Sequence, residues 1–171
     1  GLALFDTELP TYLPHHSTRA HLRQLPIRLH HAFPGGRTGA GRALHQAAER
    51  MKRRGLVIII SDLMDDPDSI ILALKHFRHK KNEVIVMHVL DPMERSFAFG
   101  NDAVFRDLET AERMMTQPWH VAAAYREAMA AFLERFKREC REHAIDYVMM
   151  DTQTPFDVAL TEYLAKRQRI Q

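Results

Sequence analysis

A single cysteine, Cys140, in 171 residues excludes an internal disulfide framework and any zinc cluster built on cysteine. No stretch approaches the ~18 consecutive apolar residues that a membrane helix needs, so no membrane segment is expected. The opening stretch "GLALFDTELP" lacks the basic start of a secretory signal and meets an acid at Asp6. These absences point to a reduced, cytoplasmic setting. An excess of charge of one sign is missing too: 24 Lys and Arg stand against 22 Asp and Glu, a net of +2. Nucleic-acid binding calls for basic charge gathered on one face. Here Lys52-Arg53-Arg54, Lys80-Lys81 and Lys166-Arg167 each fall where a helix should end, and cations there complement the helix macrodipole. No nucleic-acid partner is expected.

What is present suits one folded domain over residues 1–171. The chain is 46% apolar and 27% charged, and at this size it should bury roughly 70% of its unfolded surface. Four short apolar runs stand out: "LALF" from Leu2, "LVIII" from Leu56, "VIVMHVL" from Val84 and "YVMM" from Tyr147. They are continuous rather than alternating, as strands are when helices cover both faces of their sheet. Residues Leu9 to Leu13 can return antiparallel to the first run after a tight turn. Between the runs lie amphipathic periods. Ala40, Ala43, Leu44, Ala47 and Met51 share a face, with Gly55 as a stop. A second helix starts at Asp66-Pro67 and runs to about His79, with a cap residue before a first-turn proline. The longest begins at Pro118 and carries Val121, Tyr125, Ala128, Phe132, Phe136 and Cys140. A last helix follows Thr154-Pro155, with Val158, Tyr163 and Leu164, and residues 103–116 read as a small β-ribbon. Strand and helix alternating from residue 56 onward predict an α/β, three-layer Rossmann-like fold with a mostly parallel sheet.

In an open α/β sheet, ligands bind outside the carboxyl ends of the strands. Each apolar run ends in an aspartate there: Asp6, Asp62, Asp91 and Asp151, with Asp65 and Asp66 adding to "SDLMDD". Gathered on one edge, such acids can meet a hard cation or a partner's Lys and Arg. Aspartate is also a turn former and helix cap, which is the plainer role of Asp91 before Pro92. A second candidate is "PGGRTGAGRAL", where Gly35, Gly36 and Thr38 precede a helix. Glycines there can cradle phosphate, but the Lys-Ser/Thr ending of a P-loop is missing. The eleven histidines are scattered and read as solvated surface, with His88 in its strand as a core residue. Cys140 reads as a packed thiol, and Ser61 lacks the glycines of a nucleophile elbow.

"PGGRT" before a helix, "RRGLVIIISDLMDDP" and "NEVIVMHVLDPMER", with the later "FRDLETAERMMTQPWHVAAAYREAMAAFLERFKRECREHAIDYVMMDTQTPFDVAL", resemble the von Willebrand factor A-like domain of a bacterial family, domain of unknown function 58. The resemblance implies a Rossmann-like sheet with a metal-ion-dependent adhesion site at its carboxyl edge. Thr38 matches that site's second element and Asp62 its third. The first, Asp-x-Ser-x-Ser, is absent, and the chain opens at the family's second strand, as the C-terminal part of a longer protein would. The resemblance further implies action beside a MoxR-type AAA+ ATPase in assembly or maturation of other proteins.

The leading expectation is therefore a non-enzymatic protein–protein interaction module, with Thr38 and Asp62 as an incomplete metal site. The edge acids Asp6, Asp65, Asp66, Asp91 and Asp151 complete the interaction surface. No divalent ion is expected to bind tightly to this chain, with Mg or Mn reserved for a longer protein. The alternative is a Mg-dependent phosphoryl-transfer or hydrolytic enzyme using Asp62, Asp65 and Asp66, and a third reading is a nucleotide site at Gly35, Gly36 and Thr38. With the family's first strand absent, residues 2–5 are expected to pair directly with 56–60. Self-association through the unpaired strand edge is the second route.

Overall fold

Three of the four apolar runs do form a parallel sheet. In the computed structural model, which describes residues 1–6, 9, 11–32, 39–98, 103–106, 113–116 and 118–168, the order is β1 (Leu2–Leu4), β2 (Thr11–Leu13), α1 (Arg19–His30), α2 (Ala40–Arg50), β3 (Leu56–Ser61), α3 (Pro67–His79), β4 (Glu83–Leu90), α4 (Pro92–Ser96), β5 (Ala103–Arg106), β6 (Arg113–Thr116), α5 (Pro118–Glu142), β7 (Asp146–Asp151) and α6 (Phe156–Gln168). Strands β3, β4 and β7 lie side by side and parallel, in register Ile58↔Ile85↔Asp146 and Ser61↔His88↔Met149. Strands β5 and β6 form the separate antiparallel ribbon expected of residues 103–116. No described helix is long and apolar enough to cross a membrane.

One face of the sheet carries the core. Ile59, Val84 and Val86 pack with Leu44, Ala47 and Ala48 of α2, Ile70, Leu74 and Phe77 of α3, and Phe136 and Cys140 of α5. Burial of this many apolar side chains is the dominant favourable term in folding. The buried and half-buried stripe of α5 runs through Ala122, Tyr125, Met129, Phe132, Phe136 and Cys140. Over the first half this differs from the sequence expectation, because Val121 and Ala128 are exposed and the next residues, Ala122 and Met129, are buried in their place.

The N-terminal strands meet one expectation, the antiparallel return of residues 9–13 onto the first run, and depart from another. β1 pairs antiparallel with β2, Leu2↔Leu13 to Leu4↔Thr11, in a sheet of its own. It does not pair with β3, whose ladder among the described residues is with β4 alone. A hairpin partner nine residues away in the chain closes at about 1–2 kcal/mol less entropy cost than a strand more than fifty residues on, so the hairpin forms without needing β3. The hairpin still reaches the core, with Leu9 buried and Ala3, Phe5 and Tyr12 packed against it.

Polar contacts fix the ends of the elements. Lys80 donates from Nζ to the carbonyls of Ala48 and Glu49, at 2.5 and 3.2 Å, and so satisfies the C-terminus of α2. Gly55 is not the stop of that helix, which ends at Arg50. Its N–H is held by the buried Asn82 at 2.9 Å, while the Asn82 amide donates to the Phe77 carbonyl at 3.1 Å. Asn82 thereby joins the end of α3 to the mouth of β3. At the same end of the sheet, Arg167 of α6 pairs with Glu83 and Asp146, and Tyr163 donates to Asp146 at 3.0 Å. This clasp holds α6 although Val158 and Leu164 are exposed.

Helices α2 and α3 approach most closely at Gly41. A Cβ built there would lie 2.0 Å from Ser69 Oγ and 2.6 Å from Ser69 Cβ. Gly41→Ala should force the helices apart and lower stability by about 1–3 kcal/mol. A urea titration checks this, with Ser69→Gly in the same background recovering part of the loss.

Candidate functional site at the carboxyl edge

Because β3, β4 and β7 are parallel, Asp62, Asp91 and Asp151 follow their carboxyl ends on one side of the sheet. The loop after β3 is built by local side-chain bonds. Ser61 Oγ accepts the Leu63 N–H at 3.0 Å, and Asp62 Oδ1 accepts that of Met64 at 3.1 Å. Leu63 is left-handed at φ 55, an unfavourable conformation for a branched side chain. Its fully buried side chain holds the loop against the core. Asp65 accepts the Asp66 N–H at 2.7 Å and, at a long 3.5 Å, that of Gly41. Asp66 caps α3 through the Ser69 N–H at 2.9 Å.

The second and third loops are tied to each other. Asp91 opens α4 in a capping box with Glu94 and accepts the Thr152 hydroxyl at 2.9 Å. Asp151 accepts the Gln153 N–H at 2.9 Å and pairs with Arg95 at 3.3 Å. Beside them, a groove of about 360 Å³ between α4 and α5 is lined by Pro92, Arg95, Ser96, Arg126, Met129 and Leu133. These arginines bring positive charge to an edge the sequence marks only by its acids. Asp6, after β1, accepts the Gly39 N–H through its carbonyl at 3.0 Å, two residues before the Gly41 N–H that faces Asp65. Thr38, Gly35 and Gly36 fall outside the described residues.

The acids thus share an edge, but their carboxylates largely serve turns and caps. Asp62 and Asp66 are exposed and each accepts a single N–H among the described groups, which leaves them the most available. Three metal-capable side chains converge elsewhere among the described residues, at Glu139, Glu142 and His143. There Glu139 pairs with Lys75 at 3.0 Å and with Arg138 at 3.9 Å, and the Lys75 bond holds its carboxyl below the usual range. Cys140 is buried, and burial pushes its thiol up to about 12. It is a packed thiol.

The group that positions the Asp62 loop is one sequence reading assigned only to the core. His88 is fully buried in β4, against the rings of Phe132 and Phe136 at 5.9 and 6.0 Å. Its Nε2 lies 2.7 Å from the Asp62 carbonyl and its Nδ1 2.7 Å from the Tyr147 hydroxyl. A carbonyl can only accept, so Nε2 carries the proton and Nδ1 accepts from Tyr147. The signal in the sequence was a polar ring inside an otherwise continuous apolar run.

The family profile described as "Protein of unknown function DUF58" matches residues 1–151. The chain belongs to this family. No curated protein and no solved structure matches it. Within the family member, burial lowers the His88 pKa from 6.5, so the folded chain holds the ring neutral while the unfolded chain takes up a proton below about pH 6.5. Its stabilising share is present above that pH and is lost as pH falls toward the folded value. The urea midpoint should therefore decline from pH 7.5 to 5.5. His88→Gln should lower stability at pH 7.5 by about 1–3 kcal/mol and flatten that decline.

Proposed function

We propose that this chain is a non-enzymatic protein–protein interaction module. The observation that carries the reading is the outer side of β3. Leu56, Ile58 and Ile60 share one sheet face and are 51%, 49% and 64% exposed, although Ile85 and Met87, in register beside Ile58 and Ile60, are buried. The same strand has no ladder partner on its other edge among the described residues. Apolar side chains on an unpaired edge are a surface that proteins ordinarily cover, blunt or use. Backbone groups on such an edge accept an added strand, with the alternate side chains supplying selectivity.

The family resemblance supplies the partner and the frame. On this reading the sheet belongs to a von Willebrand factor A-like, Rossmann-like layout in the cytoplasm, and the partner is a MoxR-type AAA+ ATPase engaged in protein assembly or maturation. Asp62, at the carboxyl end of β3, and Thr38 are two members of an incomplete adhesion-type metal site. Two oxygen donors fall short of the six or more that Mg or Ca takes, so tight binding of Mg or Mn belongs to a longer protein. Self-association is the competing use of the edge.

Capture of the purified chain by the immobilised ATPase tests this. Ile58→Lys with Ile60→Lys should weaken capture by on the order of tenfold, about 1.4 kcal/mol. Because both positions are exposed, stability should stay within about 0.5 kcal/mol. Asp62→Ala and Thr38→Ala should weaken capture as well. Unchanged capture by all variants would remove this side of the sheet from the account, and no capture of the unmodified chain would remove the ATPase.

A further inference from the structure

Helices α2 and α3 run parallel, with Gly41 against Ser69 and the end of α2 against Lys80. Midway between these contacts, His45 and His76 face each other with Nδ1 atoms 3.1 Å apart and ring centroids 5.3 Å apart. Both rings are half-buried, so the helices fix them while solvent still reaches them. Neither ring bonds a carboxylate or a carbonyl among the described groups. Two neutral imidazoles at this separation share one proton, one ring donating Nδ1–H to the other.

That geometry is also the geometry of two ligands on one ion. Zinc–imidazole bonds are about 2.0–2.1 Å long, and two of them spanning this separation subtend about 100° at the metal. The angle lies between the tetrahedral and octahedral values. The only change needed is a tautomer shift that moves the shared proton to an Nε2. We propose that His45 and His76 form a binding site for a divalent transition-metal ion of the zinc, nickel or copper class, which bridges α2 and α3. Imidazole donors select those ions over Mg and Ca.

The surroundings bear on the site in both directions. Burial comes first, then His45 and Lys80, in making His76 harder to protonate, and this leaves its lone pair open to a metal at neutral pH. The Lys80 ammonium is itself bound to the Ala48 and Glu49 carbonyls rather than aimed between the rings. Glu49 lies one turn beyond His45 on the same face of α2, and its charge acts on His76 in the opposite sense. Its carboxylate does not converge with the two rings, so the site rests on the two imidazoles with water in the remaining positions. The cluster at Glu139, Glu142 and His143 is the natural rival, but Lys75 and Arg138 already neutralise Glu139.

The test is titration of the metal-free chain with zinc chloride at pH 7.5. Calorimetry reads the affinity, and two-bond ¹⁵N spectra of the histidine rings read which nitrogens move. Single-site binding is expected, with the Nδ1 signals of His45 and His76 shifting together. His45→Gln and His76→Gln should each weaken it by on the order of tenfold or more. Zinc should raise the thermal midpoint of the unmodified chain and not of these variants. His143→Gln should bind as the unmodified chain does. The ring spectra read the unmodified protein, so the result holds even if a variant folds poorly. Zinc that moves other histidines, that is lost in His143→Gln, or that fails to bind by about 1 mM would overturn the proposal.

Discussion

The imidazole of His88 is shared by all three strands of the sheet. It sits in the central strand, donates to the backbone of the loop leaving β3, and accepts from Tyr147 of β7. A buried polar ring costs free energy unless both nitrogens are bonded, and here both are. The bond to the Asp62 carbonyl fixes the start of the loop, and Leu63, left-handed and buried, fixes the next residue. The direction of every side chain from Asp62 to Asp66 follows from these two anchors. Burial pushes the Tyr147 hydroxyl up to about 12, so it remains a donor to His88 throughout the working pH range.

Seen from that loop, the acids of the carboxyl edge divide into two sorts. Asp66 and Asp91 begin helices, Asp65 and Asp151 hold backbone N–H groups of their own turns, and Asp151 also anchors Arg95. Their charges are spent on orphan donors that every helix start and turn must satisfy. Asp62 and Asp66 differ from the other three in being exposed beyond their one backbone bond. An edge rich in aspartate is thus mainly a consequence of strands that must each turn into a helix. Its chemically available part is small and lies beside the exposed apolar side chains of β3.

The sheet was legible because β3, β4 and β7 appear as unbroken apolar runs, although only β4 is buried on both faces, and α3 because Asp66-Pro67 states its start. α1 was not: it is polar for most of its length, contains Pro26, and leaves Leu22, Ile27 and Leu29 exposed. Its signal is the Thr18 cap on the His21 N–H, which a periodicity reading passes over. α4 is a single turn whose mark is the same Asp91 read as a cap. The β1–β2 hairpin was legible in the short apolar return at residues 9–13, whereas a pairing of β1 with β3 rested on the layout of a family sheet and on no residue of this chain. The meeting of His45 with His76 had no sequence signal, since it depends on how α2 is turned against α3, a matter decided by Gly41 and the alanines around it.

The unequal spacing of the strands sets an order of assembly. β3 and β4 are joined through α3 by a short crossover, and Asn82 and Lys80 stitch that unit to Gly55 and to the end of α2. β7 reaches β4 only after α4, the ribbon and the whole of α5 have been made. Contacts of low sequence separation form ahead of those that must close a long loop. The β3–α3–β4 unit therefore comes together first with both of its sheet edges open. The arrival of β7 closes one of them and completes the environment of His88. The ring that holds the candidate loop in place is thus among the last polar groups to be sealed.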